Sequence, residues 1–156
     1  MTLKAPRSVL IIESRFYEDI SDELARGAVA ELEKSRIDYE RLEVPGSLEI
    51  PLALSLALAN GFVGRAGRHR GCVALGCVIR GETAHYDIVA RESASGLYAL
   101  AVQHAVPIGN GILTCDSREQ ALARASVGGR NKGRDAARAC VELMQLEKHF
   151  SSASRR

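Results

Sequence analysis

The segment Arg80-Gly-Glu-Thr-Ala-His85 places a carboxylate, a hydroxyl and an imidazole between an apolar run and a predicted helix. Peptide N–H groups at a helix N-terminus attract anions, and the Thr83 hydroxyl adds a further donor for a phosphate. The positive end of the helix dipole disfavours the imidazolium form of His85, and a neutral imidazole is what a general base requires. The segment predicts proton transfer by His85 beside a bound phosphate. The alternative is a capping threonine followed by a histidine that packs.

Other candidate residues also follow short apolar runs. Phe16, in Arg15-Phe-Tyr17, could stack on a flat heterocycle or pack beneath its loop, and the sequence leaves both open. Residues 46–49 offer backbone groups and the Glu49 carboxylate to a polar ring edge or a polyol. Arg124 and Lys132 follow the last apolar run, either as phosphate ligands or as helix-end cations.

Alternating short apolar runs and longer amphipathic runs would position these residues. The runs predict four strands, at residues 8–12, 38–44, 71–79 and 107–114. They also predict helices at 20–35, 47–60, 86–104 and 132–150, and a short helix that Asp116 begins with Glu119 in a capping box. Strands joined by helices imply an α/β fold, a three-layer α/β/α sandwich around a four-stranded parallel sheet. Ligands bind such sheets at the carboxyl ends of the strands, where the candidate residues lie.

Length and composition indicate one domain over residues 1–156, with a core at about 8–150 and flexible termini. A net charge of +2 favours neither nucleic acid nor a membrane surface as a partner, and the basic run at 65–70 is interpreted as a solvated loop. No segment has the features of a signal peptide or a spanning helix, so we expect a cytoplasmic protein.

Four cysteines lack CxxC or metal-finger spacing, so we expect reduced packing residues and no metal site. Glycine-rich dinucleotide and P-loop motifs are absent, and no cofactor is expected. We expect His69, His104 and His149 at the surface. The helix predicted at 47–60 is apolar nearly all round, which hints at a subunit contact.

Five motifs in this order and at these separations resemble the lumazine synthase family over residues 8–150. They are Arg15-Phe16, Val44-Pro-Gly-Ser-Leu-Glu-Ile-Pro51, Leu75-Gly-Cys-Val-Ile-Arg-Gly-Glu-Thr-Ala-His-Tyr-Asp87, Gly109-Asn-Gly-Ile-Leu-Thr114 and Asn131-Lys-Gly133. The resemblance implies a flavodoxin-like fold and a transferase without a cofactor. That enzyme condenses 5-amino-6-(D-ribitylamino)uracil with 3,4-dihydroxy-2-butanone 4-phosphate to give 6,7-dimethyl-8-ribityllumazine, phosphate and water.

The resemblance also implies roles for individual residues. His85 matches the proton-transfer histidine, Arg124 matches a phosphate-binding arginine, and Lys132 is a supporting residue. The phosphate is expected at Glu82, Thr83 and Arg124. The pyrimidine and its ribityl chain are expected at Phe16, Ser47, Leu48, Glu49, Cys77, Val78, Ile79 and Asn110. The pocket is expected between subunits, with Asn110, Arg124 and Lys132 supplied by the adjacent chain.

Three positions depart from the family pattern. Leu48 and Asn110 stand where some members have aromatic side chains, and Ala84 replaces a common hydroxyl residue. These departures bear on affinity more than on activity. The rival interpretations are a non-catalytic flavin- or lumazine-binding shell protein and a different phosphosugar-binding domain of the same fold.

The resemblance implies a homopentamer, assembled into an icosahedral 60-mer in some members, and a functional link to riboflavin synthase. The short loop at 126–131 favours a free pentamer.

Overall fold

A computed structural model describes residues 8–155, in which strands and helices alternate. The strands are β1 (Ser8–Ser14), β2 (Asp38–Val44), β3 (Gly71–Ile79) and β4 (Ile108–Cys115). The helices are α1 (Glu18–Lys34), α2 (Glu49–Ala59), α3 (His85–His104), α4 (Arg118–Ala125) and α5 (Lys132–Ala153). No helix among the described residues combines the length and apolar character that crossing a bilayer requires.

The four strands form one all-parallel sheet in the order β2-β1-β3-β4. The register pairs Ser14 with Val44, and Ile79 with Cys115. Strands β1 and β2 therefore end at the same level, and so do β3 and β4. Parallel strands bring all their carboxyl ends to one edge, and the loops that follow β1, β2 and β3 therefore emerge side by side. The predicted α/β fold with a four-stranded parallel sheet is confirmed.

Two hydrophobic clusters cover the two faces of the sheet and make the three layers. The first joins β1, β3 and β4 to α1, α4 and α5, and the second joins the sheet to α2 and α3. Every residue of β1 is buried, which explains its unbroken apolar run, since a strand covered on both faces has no solvent side. The edge strand β2 is mostly exposed and correspondingly polar.

Close backbone contact holds α5 against both the sheet and α1. A Cβ atom on Gly109 would lie 1.8 Å from the carbonyl oxygen of Ala136, and one on Gly133 would lie 2.0 Å from that of Leu24. Both distances are far below van der Waals contact, so only glycine fits at these two points. Helix α5 is thereby fixed relative to β4 and α1.

Two predictions about helix ends were wrong. Ser117, not Asp116, is the N-cap residue of α4, and its side chain accepts a hydrogen bond from the backbone N–H of Gln120. The last helix, predicted to end at residue 150, continues to Ala153 as α5. Residues 1–7 and 156 lie outside the described part of the chain, and so does the flexibility expected of them.

The prediction that His69 lies at the surface was also wrong. His69 is 1% exposed, because its ring closes the space between the start of β1, β2 and the loop before β3. Its Nδ1 lies 2.8 Å from the Ser8 hydroxyl and its Nε2 lies 3.2 Å from a Glu40 carboxylate oxygen. The basic run that contains it is held by carboxylates of β2 and α5, since Arg68 pairs with Glu40 and Arg70 pairs with Glu147.

The four cysteines are free and buried, as predicted. Burial raises the pKa of the Cys140 thiol to about 12 and that of Cys72 still further. Both remain protonated at physiological pH and act as packing groups.

Candidate active site

The loop after β1 presents an aromatic side chain to solvent at the carboxyl edge of the sheet. Phe16 is 74% exposed, and its ring meets Tyr17 edge-on at 5.0 Å between centroids. Tyr17 is the N-cap residue of α1 and packs against the hydrophobic cluster beneath. Phe16 therefore does not pack beneath its loop, which was one of the two alternatives left open by the sequence. Its exposed ring beside a strand end has a face on which a heterocycle could stack.

The loop after β2 reaches β3, one of the two central strands of the sheet. Ser47 is buried, and a Cβ atom on Gly76 of β3 would lie 2.8 Å from its hydroxyl oxygen. Leu48 and Glu49 are half-buried, with Glu49 the first residue of α2. A Cβ on Gly46 would lie 2.8 Å from the Glu49 carboxylate, so glycine lets that carboxylate fold back beside the loop. The loop therefore combines a hydroxyl, a carboxylate and an apolar side chain.

The last residues of β3 change from fully buried to half-buried at the same edge. Cys77 is 7% exposed, whereas Val78 and Ile79 are half-buried. Burial raises the pKa of the Cys77 thiol to about 12, with a smaller contribution from nearby Cys115. The thiol is therefore protonated and offers packing, and the chemistry available here comes from backbone groups of the strand end.

The loop from β3 to α3 carries the predicted phosphate and proton-transfer residues. Glu82, Thr83 and His85 are all exposed, and His85 is the first residue of the 20-residue helix α3. The backbone N–H of His85 donates to the Thr83 hydroxyl oxygen at 3.3 Å. That oxygen acts as the acceptor, so the hydroxyl hydrogen can still be donated to an anion. Ala84, not Thr83, is the N-cap residue of α3, so the Thr83 hydroxyl supports the helix start only through this one bond.

Arg80 links this loop to the residue that follows β4. It is not among the site residues predicted from the sequence. Its Nε lies 2.9 Å from a carboxylate oxygen of Asp116, and its Nη1 lies 3.6 Å from Asp87. Its guanidinium carbon sits 4.3 Å from the centre of the Tyr86 ring, a cation–π arrangement. The register that pairs Ile79 with Cys115 makes Arg80 and Asp116 neighbours, so the strand pairing is what could have revealed the contact.

Three further predicted residues lie on β4, α4 and α5. Asn110 sits inside β4, opposite Ala74, and its side-chain oxygen accepts from the backbone N–H of Ile112 at 3.0 Å. Arg124 on α4 donates to the carbonyl oxygen of Gln120, and Lys132 at the start of α5 pairs with Asp135.

Asn110 also lines an open groove of about 400 Å³ along the outer edge of the sheet. The groove runs between α3 and β4, past Tyr86, Asp87, Ile112 and Thr114. Because β4 is an edge strand, this groove lies at the opposite side of the sheet from the other edge strand, β2.

Comparison with known proteins agrees with the family resemblance that the five sequence motifs indicate. The sequence model of the family described as 6,7-dimethyl-8-ribityllumazine synthase matches residues 6–148. A protein of Rhodopseudomonas palustris named 6,7-dimethyl-8-ribityllumazine synthase 1 is 47% identical over 146 residues, which span 93% of this chain and 88% of that protein. A synthase of the same name from Bartonella tribocorum is 49% identical over 142 residues, 91% of each chain. This chain therefore belongs to the 6,7-dimethyl-8-ribityllumazine synthase family.

Proposed function

We propose that this chain is the transferase that condenses 5-amino-6-(D-ribitylamino)uracil with 3,4-dihydroxy-2-butanone 4-phosphate. The products are 6,7-dimethyl-8-ribityllumazine, phosphate and water, and the reaction is the penultimate step of riboflavin biosynthesis. Membership of the synthase family over residues 6–148, with three of the five motifs at the carboxyl ends of β1, β2 and β3, is the observation that carries the proposal.

In this proposal the pyrimidine lies on the exposed ring of Phe16. The ribityl chain and the polar ring edges are held by the loop after β2 and the end of β3. These residues are Ser47, Leu48, Glu49, Cys77, Val78 and Ile79, with Asn110 from an adjacent chain. Stacking on Phe16 is supported by its 74% exposure, because a ring packed into the core would have no face to offer.

The phosphate of the second substrate is assigned to the N-terminal end of α3. There the backbone N–H groups near Glu82 and Thr83 and the Thr83 hydroxyl would donate to it. The Glu82 carboxylate would repel a phosphate, so its contribution is through the backbone. Arg124 from an adjacent chain would supply the cationic partner, and Lys132 would support it.

His85 is assigned the proton transfers between amine–ketone condensation and ring closure. Its position at the first residue of α3 puts its imidazole beside the proposed phosphate, whose departure requires removal of a proton from the ketone-derived carbon chain. Holding both reactants together could lower the barrier by ~7–11 kcal/mol, whereas one histidine contributes about 10²–10⁴-fold, or roughly 3–5 kcal/mol. Positioning should therefore account for more of the catalysis than proton transfer.

A homopentamer with the site shared between neighbouring chains is part of the proposal. Within the chain the side chain of Arg124 bonds to Gln120 and that of Lys132 to Asp135, and neither has a described bond to the loop that carries His85. The paired helices α2 and α3 expose large apolar side chains, as the apolar helix in the sequence led us to expect. They include Leu52, Leu56, Tyr98 and Val102, which are 63–75% exposed.

A pentamer would cover that apolar surface. We propose a free pentamer in place of the icosahedral 60-mer, and sedimentation velocity distinguishes the two. The four free cysteines suit a reducing compartment, so the proposed location is the cytoplasm, where riboflavin synthase would consume the product.

The test is to mix the purified protein with the two substrates and to follow the absorbance of the lumazine product. Turnover that depends on both substrates is expected. Tight binding of the lumazine without turnover would instead identify a non-catalytic binding protein. Binding of the phosphorylated ketone without any response to the pyrimidine would identify a different phosphosugar-binding protein.

A further inference from the structure

Glu13 is a buried carboxylate at the carboxyl end of β1. The residue is 3% exposed, and it lies on the same face of the strand as Val9 and Ile11, beneath α1. An isolated buried carboxylate would be strongly unfavourable, so its hydrogen-bond partners must compensate for the lost water.

Two guanidinium groups supply that compensation. Arg41 of β2 donates from Nε at 3.0 Å and from Nη2 at 2.7 Å, one bond to each carboxylate oxygen. Arg15 donates from Nη1 at 3.1 Å, and its Nη2 bonds to Asp22 of α1. Arg15 is thus held between a carboxylate of the strand and a carboxylate of the helix, at the residue just before Phe16.

Phe16 itself has little that would hold its ring in place within the chain. It is 74% exposed, and its ring meets only the edge of Tyr17 among the aromatic contacts of the described residues. Its orientation is therefore set by the backbone on either side. On one side Tyr17 packs against the core, and on the other side Arg15 is fixed by its two carboxylates.

We propose that Glu13 is a positioning residue, which holds Phe16 ready to stack on the pyrimidine substrate by fixing Arg15. The inference rests on the proposed function. Without the Glu13 charge, Arg15 keeps only Asp22, whose side chain is 67% exposed and screened by water. The loop would then sample more conformations, and binding of the pyrimidine would have to order it again.

The first measurement is the Michaelis constant of each substrate for Glu13→Gln. Glutamine keeps the shape and one acceptor but removes the charge that holds Arg15. We expect the KM for the pyrimidine to rise about 3–10-fold, and the kcat and the KM for the phosphorylated ketone to change less than about twofold.

Glu147→Gln is the matched control. Glu147 on α5 is also a mostly buried carboxylate held by two guanidiniums, those of Arg65 and Arg70, and Arg70 directly precedes β3 at the opposite, amino edge of the sheet. It should change thermal stability while leaving the KM for the pyrimidine within about twofold. If both variants raise that KM equally, Glu13 acts only on stability and the inference is overturned.

A double-mutant cycle with Phe16→Ala tests the route of the effect. If Glu13 acts by placing Phe16, Glu13→Gln should raise the pyrimidine KM less than about twofold in the Phe16→Ala background. An equal rise in both backgrounds, or no rise in the parent protein, would overturn the inference. Should Glu13→Gln fail to fold, Arg15→Lys breaks the same link and is expected to give the same pattern in KM. Absence of turnover by the unmodified protein would overturn the proposed function and this inference with it, whereas turnover with an unchanged KM overturns only the inference.

Discussion

His85 and His69 both lie close in sequence to the apolar strand β3, one on either side of it, yet they have opposite environments. His85 is exposed at the start of α3, where a substrate can reach it, whereas His69 is 1% exposed at the amino edge of the sheet. The two environments differ because of contacts between residues that are distant in the sequence: His69 bonds to Ser8, 61 positions away. Only His85 is therefore accessible for the chemistry proposed above, whereas the buried contacts of His69 act on stability.

His85→Ala should lower kcat by about 10²–10⁴-fold without abolishing turnover, because reactant positioning remains after the proton carrier is removed. The thermal midpoint should change little, since the side chain is exposed. Steady-state turnover and a thermal scan of the same preparation measure both effects. A variant with no product at any enzyme concentration would contradict the ranking of positioning over proton transfer.

His69 should make stability fall as the pH falls below about 6.5, the ordinary pKa of histidine. Burial lowers the pKa of His69, partly opposed by its bond to Glu40. The unfolded chain therefore binds a proton that the folded chain resists, and folding stability is lost as the pH falls through that range.

The check is the thermal midpoint from pH 8 to pH 5.5 for the parent protein and for His69→Gln. The variant should be less stable at pH 8, by about 1–3 kcal/mol, because Ser8 or Glu40 loses its partner. The difference in stability between the parent protein and His69→Gln should become smaller as the pH falls, because glutamine does not titrate. A difference that stays constant with pH would show that the pKa of His69 is the same in the folded and unfolded chains.

At the scale of elements, helix α5 and the loops at its start owe their position to backbone contact. Gly133 lies at the beginning of α5, where the carbonyl of Leu24 on α1 leaves no room for a Cβ atom. The same helix begins at Lys132, so its placement decides where the predicted supporting residue Lys132 lies.

Gly133→Ala should therefore destabilise the protein by about 1–3 kcal/mol, because the added methyl group must push α5 away from α1. Gly128→Ala is the control, since nothing lies within 4 Å of the Cβ position there. Chemical denaturation of both variants gives the comparison. Equal stability of the two would mean that the α1–α5 contact relaxes freely.

At the scale of the whole molecule, a site divided between chains makes a specific prediction about mixtures. His85→Ala and Arg124→Ala should each be nearly inactive alone. In a hybrid of both variants, a chain with intact His85 can meet a neighbour with intact Arg124. Random mixing at equal amounts should restore about a quarter of the sites.

Co-expression of two differently tagged variants, purification through both tags and a turnover assay measure that recovery. The matched control is a hybrid of His85→Ala with a second His85 variant, His85→Gln, which should recover nothing beyond the mean of its parts. Absence of recovery in the His85–Arg124 hybrid would place both residues in the same chain's site.

The amino-acid sequence alone determined the layers of this protein and the edge of the sheet where most of the candidate site residues emerge. Both follow from local properties: an unbroken apolar run such as 8–12 indicates a strand buried on two faces, and a motif after a strand end must emerge at the carboxyl edge. The tertiary structure alone decided which distant groups meet. Glu13 and Arg41 are 28 positions apart and Arg80 and Asp116 are 36 apart, and no local periodicity reports such pairs. Strand order and register bring them together, and these depend on how the whole chain buries its apolar surface.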